Sequence, residues 1–96
     1  MMVLITYDVN TATPSGQKRL RKVARHCENY GQRVQNSVFE CLIDGAQLKV
    51  LKHLLESVID PESDSLRFYY LGNNWRDQVE HIGAKPSIDL EGPLVI

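Results

Sequence analysis

An α/β sandwich, one sheet with two helices packed on the same face, is what this sequence predicts. Three observations carry the prediction. Short runs rich in β-branched and aromatic residues (MVLITYDV, RVQNSVFECLI, SLRFYYL) alternate with two longer segments of helical periodicity. Strands that alternate with helices bury both by stacking the helices on the sheet. At 96 residues the chain makes one domain, because two would each be too small to bury a useful core.

The first strand is expected over residues 2–9, where Val, Ile, Thr and Tyr dominate. The loop NTATPSG follows, with Thr13 ready to cap a helix that has Pro14 in its first turn. That helix is expected over residues 17–30: Leu20, Val23, Ala24 and Cys27 form one apolar stripe, and Gly31 suits the position just past its end. Residues 33–43 read as extended, either one long bent strand or two short ones divided near Asn36-Ser37. Asp44 and Gln47 then make a capping box for a second helix. Its core stripe is Leu48, Leu51, Leu54, Leu55, Val58 and Ile59, and Asp60-Pro61 stops it. Residues 65–71 form a strand, 72–74 a turn, and 75–82 a further strand. Residues 1–82 thus hold the sandwich, and residues 83–96 form a tail. The tail closes on four apolar residues, PLVI, expected to add as an edge strand to a partner's sheet.

The net charge of −1 excludes a protein that is basic all over. It also averages two unlike regions. Lys18, Arg19, Arg21, Lys22, Arg25 and Arg33 fall close together with Glu28 as the one acid among them, while residues 56–64 carry acids and no base. Such a map points to a localised anion-binding face. The plain reading of these cations is a solvated helix face; the functional one is contact with phosphates, which needs Lys and Arg and no base readout.

Cys27 and Cys41 belong to no CxxC pair and no zinc-spaced Cys/His cluster, so both are read as reduced core thiols of a cytoplasmic protein. No apolar run approaches the ~20 residues needed to span a bilayer, and the N-terminus lacks the pattern of a signal peptide. No P-loop or GxGxxG occurs. Ser37 has no evident base partner, which argues against a Ser-His-Asp hydrolase. His26, His53 and His81 are isolated.

Asp8 closes an apolar strand. Acids there are rare unless paired, capping or bound to metal. Two readings stand: a cap on the 10–12 backbone, or an oxygen ligand for Mg²⁺. One carboxylate is a poor Mg²⁺ site by itself. The chain has no second acid nearby in sequence, but a two-fold dimer would duplicate Asp8 across its axis. Gln35, Asn36 and Ser37 read either as one solvent-facing side of a strand or as hydrogen-bonding groups beside Asp8.

The strand ending in Tyr7-Asp8, the helix KRLRKVARHCENYG, RVQNSVFEC and DSLRFYYLG together resemble one family over nearly the whole chain. It is the second CRISPR-associated protein family, the smaller of the two universal CRISPR adaptation proteins. The resemblance implies a ferredoxin-like α+β fold: one mainly antiparallel sheet, two helices on one face, and a homodimer with C-terminal strand exchange. It implies a role in spacer acquisition, in complex with dimers of the CRISPR integrase on duplex DNA. It also implies Mg²⁺-dependent endonuclease activity on single-stranded RNA or duplex DNA, with one ion shared between the two Asp8 carboxylates. Residue by residue, Asp8 takes the metal position with Tyr7 beside it. Arg19, Arg21 and Arg33 take basic positions linked to nucleic acid or activity, and Ser37 and Phe39 fall on the SVF motif. The loop NTATPSG departs from the acidic loop of some members, which removes an auxiliary ligand. A non-catalytic scaffold that bridges integrase dimers is the alternative implied.

Overall fold

The computed structural model describes residues 1–71 and 79–84. In chain order the elements are β1 (Met2–Asp8), α1 (Pro14–Glu28), β2 (Gly31–Gln35), β3 (Val38–Leu42), α2 (Gly45–Val58), β4 (Ser65–Leu71) and β5 (Val79–Gly83). The strands form one sheet in the order β2-β3-β1-β4-β5, and every neighbouring pair is antiparallel. This is the expected ferredoxin-like α+β sandwich, with a fifth strand added at the β4 edge.

Strand periodicity decides which face is covered. Val3, Ile5 and Tyr7 alternate along β1 and are buried. Their cross-strand partners Phe39 and Cys41 on β3, and Leu66 and Phe68 on β4, are buried with them. Val23, Ala24 and Cys27 of α1 and Leu48, Leu51 and Leu55 of α2 complete a single core over that face. The intervening side chains Leu4, Thr6 and Asp8 belong to the other face, which no helix covers. There Met2 sits opposite both Leu42 and Leu71, and these three large apolar residues are exposed at 36%, 70% and 48%.

The helix caps form as the sequence expects. The Thr13 hydroxyl accepts from the Gly16 amide at 3.0 Å, with Pro14 in the first turn. Asp44 Oδ1 accepts from the Gln47 amide at 2.7 Å, and Gln47 Oε1 accepts from the Asp44 amide at 3.0 Å. The extended region after α1 is two strands, a hairpin turning at Asn36-Ser37 with a bulge between Arg33 and Gln35.

Several boundaries differ from the expectation: β1 ends at Asp8, one residue early, and α1 begins at Pro14, three residues before the expected start. Gly31 is not a C′ residue; α1 ends at Glu28 with Asn29 in a right-handed cap, and Gly31 opens β2. Its glycine answers to tertiary packing, because a Cβ there would stand 1.9 Å from the Glu40 carbonyl oxygen. The last described strand runs to Gly83, one residue past the strand end expected at 82. The turn at 72–74, the first part of the strand expected at 75–82, and most of the tail lie outside the described residues. No helix among the described residues is long and apolar enough to cross a membrane. Both cysteines are buried and reduced, and the Cys41 thiol donates to the Cys27 carbonyl at 3.6 Å.

Candidate functional site

Asp8 ends β1 on the uncovered face, and its side chain is exposed. The amide of the preceding residue, Tyr7, donates to the Ser37 carbonyl at 2.9 Å. That bond seats the β2–β3 turn against the end of β1. The result is an open cleft of about 410 Å³ lined by Thr6, Tyr7, Asp8, Val9, Thr11, Leu20, Asn36, Ser37 and Arg67. Of Gln35, Asn36 and Ser37, the last two line the cleft with Asp8 and Gln35 does not. The expected cap on the following loop is partly taken by another residue: the Ala12 amide donates to Asn10 Oδ1 at 2.9 Å.

Three residues around this cleft were not singled out as site residues from the sequence. Ser65 is the strand partner of Asp8 and is 1% exposed. Its hydroxyl lies 2.6 Å from His81 Nε2 on β5. Arg67, between Thr6 and His81 in register, supplies a cation to the cleft wall. Burial first, and then the Arg67 charge, lower the His81 pKa below its ordinary value. Asp8, Arg67 and His81 thus share one face by register alone, which no short-range pattern encodes.

Beneath the end of β1 lies a buried carboxylate. Asp64 is 0% exposed and accepts from Arg19 Nε at 2.8 Å, Arg19 Nη2 at 3.2 Å and the Asp60 amide at 3.0 Å. The Tyr7 hydroxyl donates to the same carboxylate in a short bond. The Asp64 backbone is held as well: its amide donates to the Asp60 carbonyl, and its carbonyl accepts from the Ala84 amide, each at 2.8 Å. Gly83 makes that approach with a φ of +127°, where a Cβ would come within 2.1 Å of the Asp64 carbonyl oxygen. Burial pushes the Asp64 carboxyl up, but hydrogen bonds from Arg19, Tyr7 and the Asp60 amide outweigh it and hold it below the ordinary value. Burial, and then the carboxylate it serves, push the Tyr7 phenol well up.

The basic residues named from the sequence divide into three groups. Arg19 turns inward to Asp64. Arg21, Arg25 and Arg33 line a second open groove of about 430 Å³ with Ala24, Glu28 and Asn29, away from Asp8. Lys18 and Lys22 are exposed on α1. Arg33 is fixed at the groove by donating from Nε to the Asn36 carbonyl at 2.8 Å and by lying 5.8 Å from the centre of the Phe39 ring. Phe39 itself is fully buried and packs in the core.

The Asp8 cleft offers oxygen ligands: one carboxylate, the Asn36 amide and the hydroxyls of Thr6, Thr11 and Ser37. A hard, oxygen-only set suits Mg²⁺ better than zinc. Among the described residues no three His, Cys, Asp or Glu gather in a metal-holding group. The chain therefore brings one acid, Asp8, to the cleft's donor set.

Fold and site together define a ferredoxin-like α+β protein with its polar cleft at the end of β1. The chain belongs to the Cas2 family of CRISPR-associated proteins: the family described as CRISPR associated protein Cas2 matches residues 1–79. It is 68% identical over 95 residues to the CRISPR-associated endonuclease Cas2 of Halalkalibacterium halodurans, covering 99% of each chain. It is 62% identical over 96 residues to the CRISPR-associated endoribonuclease Cas2 of Nitratidesulfovibrio vulgaris, covering 100% of this chain and 94% of that one. Among solved structures, Streptococcus pyogenes Cas2 at pH 6.5 matches with a TM-score of 0.74 and 60% identity, over 86% of this chain and 100% of that chain.

Proposed function

We propose that the chain acts in CRISPR adaptation as a homodimer that binds nucleic acid together with dimers of the CRISPR integrase, and that it hydrolyses phosphodiester bonds at Asp8 with Mg²⁺. One observation carries the reading. The chain's exposed strand-end carboxylate shares an oxygen-lined cleft with Asn36, Ser37 and Arg67, in a family whose relatives are named endonuclease and endoribonuclease.

Asp8 from each protomer would hold the ion, which when bound supplies Lewis-acid polarisation of the phosphate and an activated water. The chain's own groups do the rest. Arg67 offsets negative charge that develops on the phosphate in the cleft. The Asn36 amide and Ser37 hydroxyl orient it by hydrogen bonding. Arg21, Arg25 and Arg33 grip flanking phosphates in their groove, with Lys18 and Lys22 extending the positive surface along α1. The row Met2, Leu42 and Leu71 supports the dimer, since it leaves apolar side chains uncovered on the face that carries Asp8. The substrate class is single-stranded RNA or duplex DNA.

A second reading is favoured by the separation of the two clefts. The arginine groove forms without Asp8, so a non-catalytic scaffold bridging integrase dimers would use the groove and leave Asp8 idle. Cleavage of labelled single-stranded RNA and duplex DNA, with Mg²⁺ and with chelator, separates the two when wild type and Asp8→Ala are compared. The nuclease reading expects metal-dependent cutting lost in the variant with duplex binding intact. Binding without cutting by the wild type favours the scaffold.

A further inference from the structure

Asp64 stands one residue before Ser65, the strand partner of Asp8, and Tyr7 stands one residue before Asp8 itself. Their side chains join inside the molecule, together with Arg19 of α1. We propose that Asp64 is the positioning residue of the Asp8 site, and that Tyr7 and Arg19 serve the site only through Asp64, touching no phosphate. The proposal rests on the reading of Asp8 as the metal-holding carboxylate.

The arrangement of Arg19 carries the first half. Its Nε and Nη2 both point at Asp64, and its side chain is 21% exposed while that of Asp64 is 1% exposed. Swinging the guanidinium out to a phosphate would strip a buried carboxylate of its charge partner. A screened surface contact with one phosphate does not compensate for that loss. Among the described residues Arg21, Arg25 and Arg33 pair with no buried acid, and they line an open groove.

Strand geometry carries the second half. Successive side chains of β1 point to opposite faces. The Tyr7 ring lies in the core on the helix side and Asp8 on the uncovered side. The phenol hydroxyl is committed to Asp64, while the rest of Tyr7 forms part of the cleft wall. Strand ends fray more readily than strand middles. The Tyr7–Asp64–Arg19 knot ties the ends of β1 and β4 at the level where Asp8 faces Ser65. It thereby fixes the strands that present Asp8 and Arg67 to one cleft.

The test uses Tyr7→Phe, Arg19→Gln, their double variant and Asp64→Asn. Each is assayed per folded molecule well below its melting temperature. Tyr7→Phe removes one hydroxyl and keeps the buried ring, so it remains informative should Asp64→Asn fold poorly. The expected results are a kcat lower by roughly 10- to 100-fold in each single variant, the scale of a small misplacement at a reacting centre, and an unchanged KM. The Mg²⁺ concentration for half-maximal rate should rise, and the double variant should be no worse than the weaker single. The salt dependence of duplex binding should be unchanged in Arg19→Gln, whereas Arg21→Gln lowers its slope by about one. The backbone amide resonances of Asp8 and Ser65 should shift in Tyr7→Phe. Multiplicative losses in the double variant overturn the proposal. So does a reduced salt slope in Arg19→Gln, or a lowered melting temperature with kcat, Mg²⁺ requirement and amide resonances unmoved. A wild type that cuts nothing sinks the nuclease reading instead; the salt slope and the amide resonances still decide what Arg19, Tyr7 and Asp64 do.

Discussion

Arg19 and Asp64, 45 residues apart in the chain, meet as a two-pronged ion pair, Nε to Oδ2 at 2.8 Å and Nη2 to Oδ1 at 3.2 Å. With the Tyr7 hydroxyl and the Asp60 amide on the same carboxylate, the pair anchors α1 to the sheet.

Asp64→Ala is therefore expected to destabilise the protein more than any exposed acid does. The substitution leaves the buried Tyr7 hydroxyl without its acceptor and the part-buried Arg19 without its partner, a loss of about 1–3 kcal/mol for the unsatisfied group. Urea unfolding of Asp64→Ala beside Glu62→Ala, at an exposed acid, measures the difference.

The same carboxylate sets an acid limit on stability. Its folded pKa lies below its ordinary value of 3.8. The unfolded chain therefore binds the proton first as pH falls. The stabilisation is present above about pH 4 and is lost as pH drops through the folded value. Unfolding free energies measured between pH 5 and pH 2 should fall in wild type and flatten in Asp64→Asn.

His81 acts in a higher window. Burial and Arg67 lower its pKa from the ordinary 6.5, so the unfolded chain again takes the proton first. The charging penalty is absent above that ordinary value, grows as pH falls below it, and is complete below the folded value. A His81→Gln variant should lack the loss of stability that wild type shows just below pH 6.5.

Gly31→Ala is expected to cost roughly 1–3 kcal/mol, the scale of overpacking. Its Cβ would meet the Glu40 carbonyl oxygen at 1.9 Å and the Cys41 Cα at 2.6 Å, both backbone atoms. Thermal melting of the variant checks this, and Gly45→Ala serves as the comparison because nothing lies within 4 Å of its Cβ position.

Arg33→Gln should weaken duplex binding without regard to sequence and lower the salt slope by about one. Asp8→Ala should leave that slope alone. Titrations at several salt concentrations give both values.

Local features were legible in the sequence. Thr13-Pro14 and the Asp44/Gln47 box announced both helix starts because a cap is written within four residues. The residues 33–43 left the hairpin open, since their periodicity suits one strand or two, and the bulge between Arg33 and Gln35 blurs the alternation. Gly31 misled because a glycine after a helix looks the same whether it ends the helix or admits a neighbouring backbone. Asp64 was hidden for a different reason: its partners lie 45 and 57 residues away, and in the sequence it is the last of the acids in a stretch, 56–64, that holds no base. Arg67, Ser65 and His81 reach the Asp8 face through strand register, which follows from pairings no short pattern records. Asp8 stood out because a carboxylate ending an apolar strand needs a reason wherever it occurs.

The most direct test of the central claim is cleavage of labelled RNA and duplex DNA by wild type and Asp8→Ala, purified identically, with Mg²⁺ and with chelator. The account predicts metal-dependent cutting by wild type, none by the variant, and equal duplex affinity for both. Equal cutting by the two proteins, or no cutting by either, would contradict it.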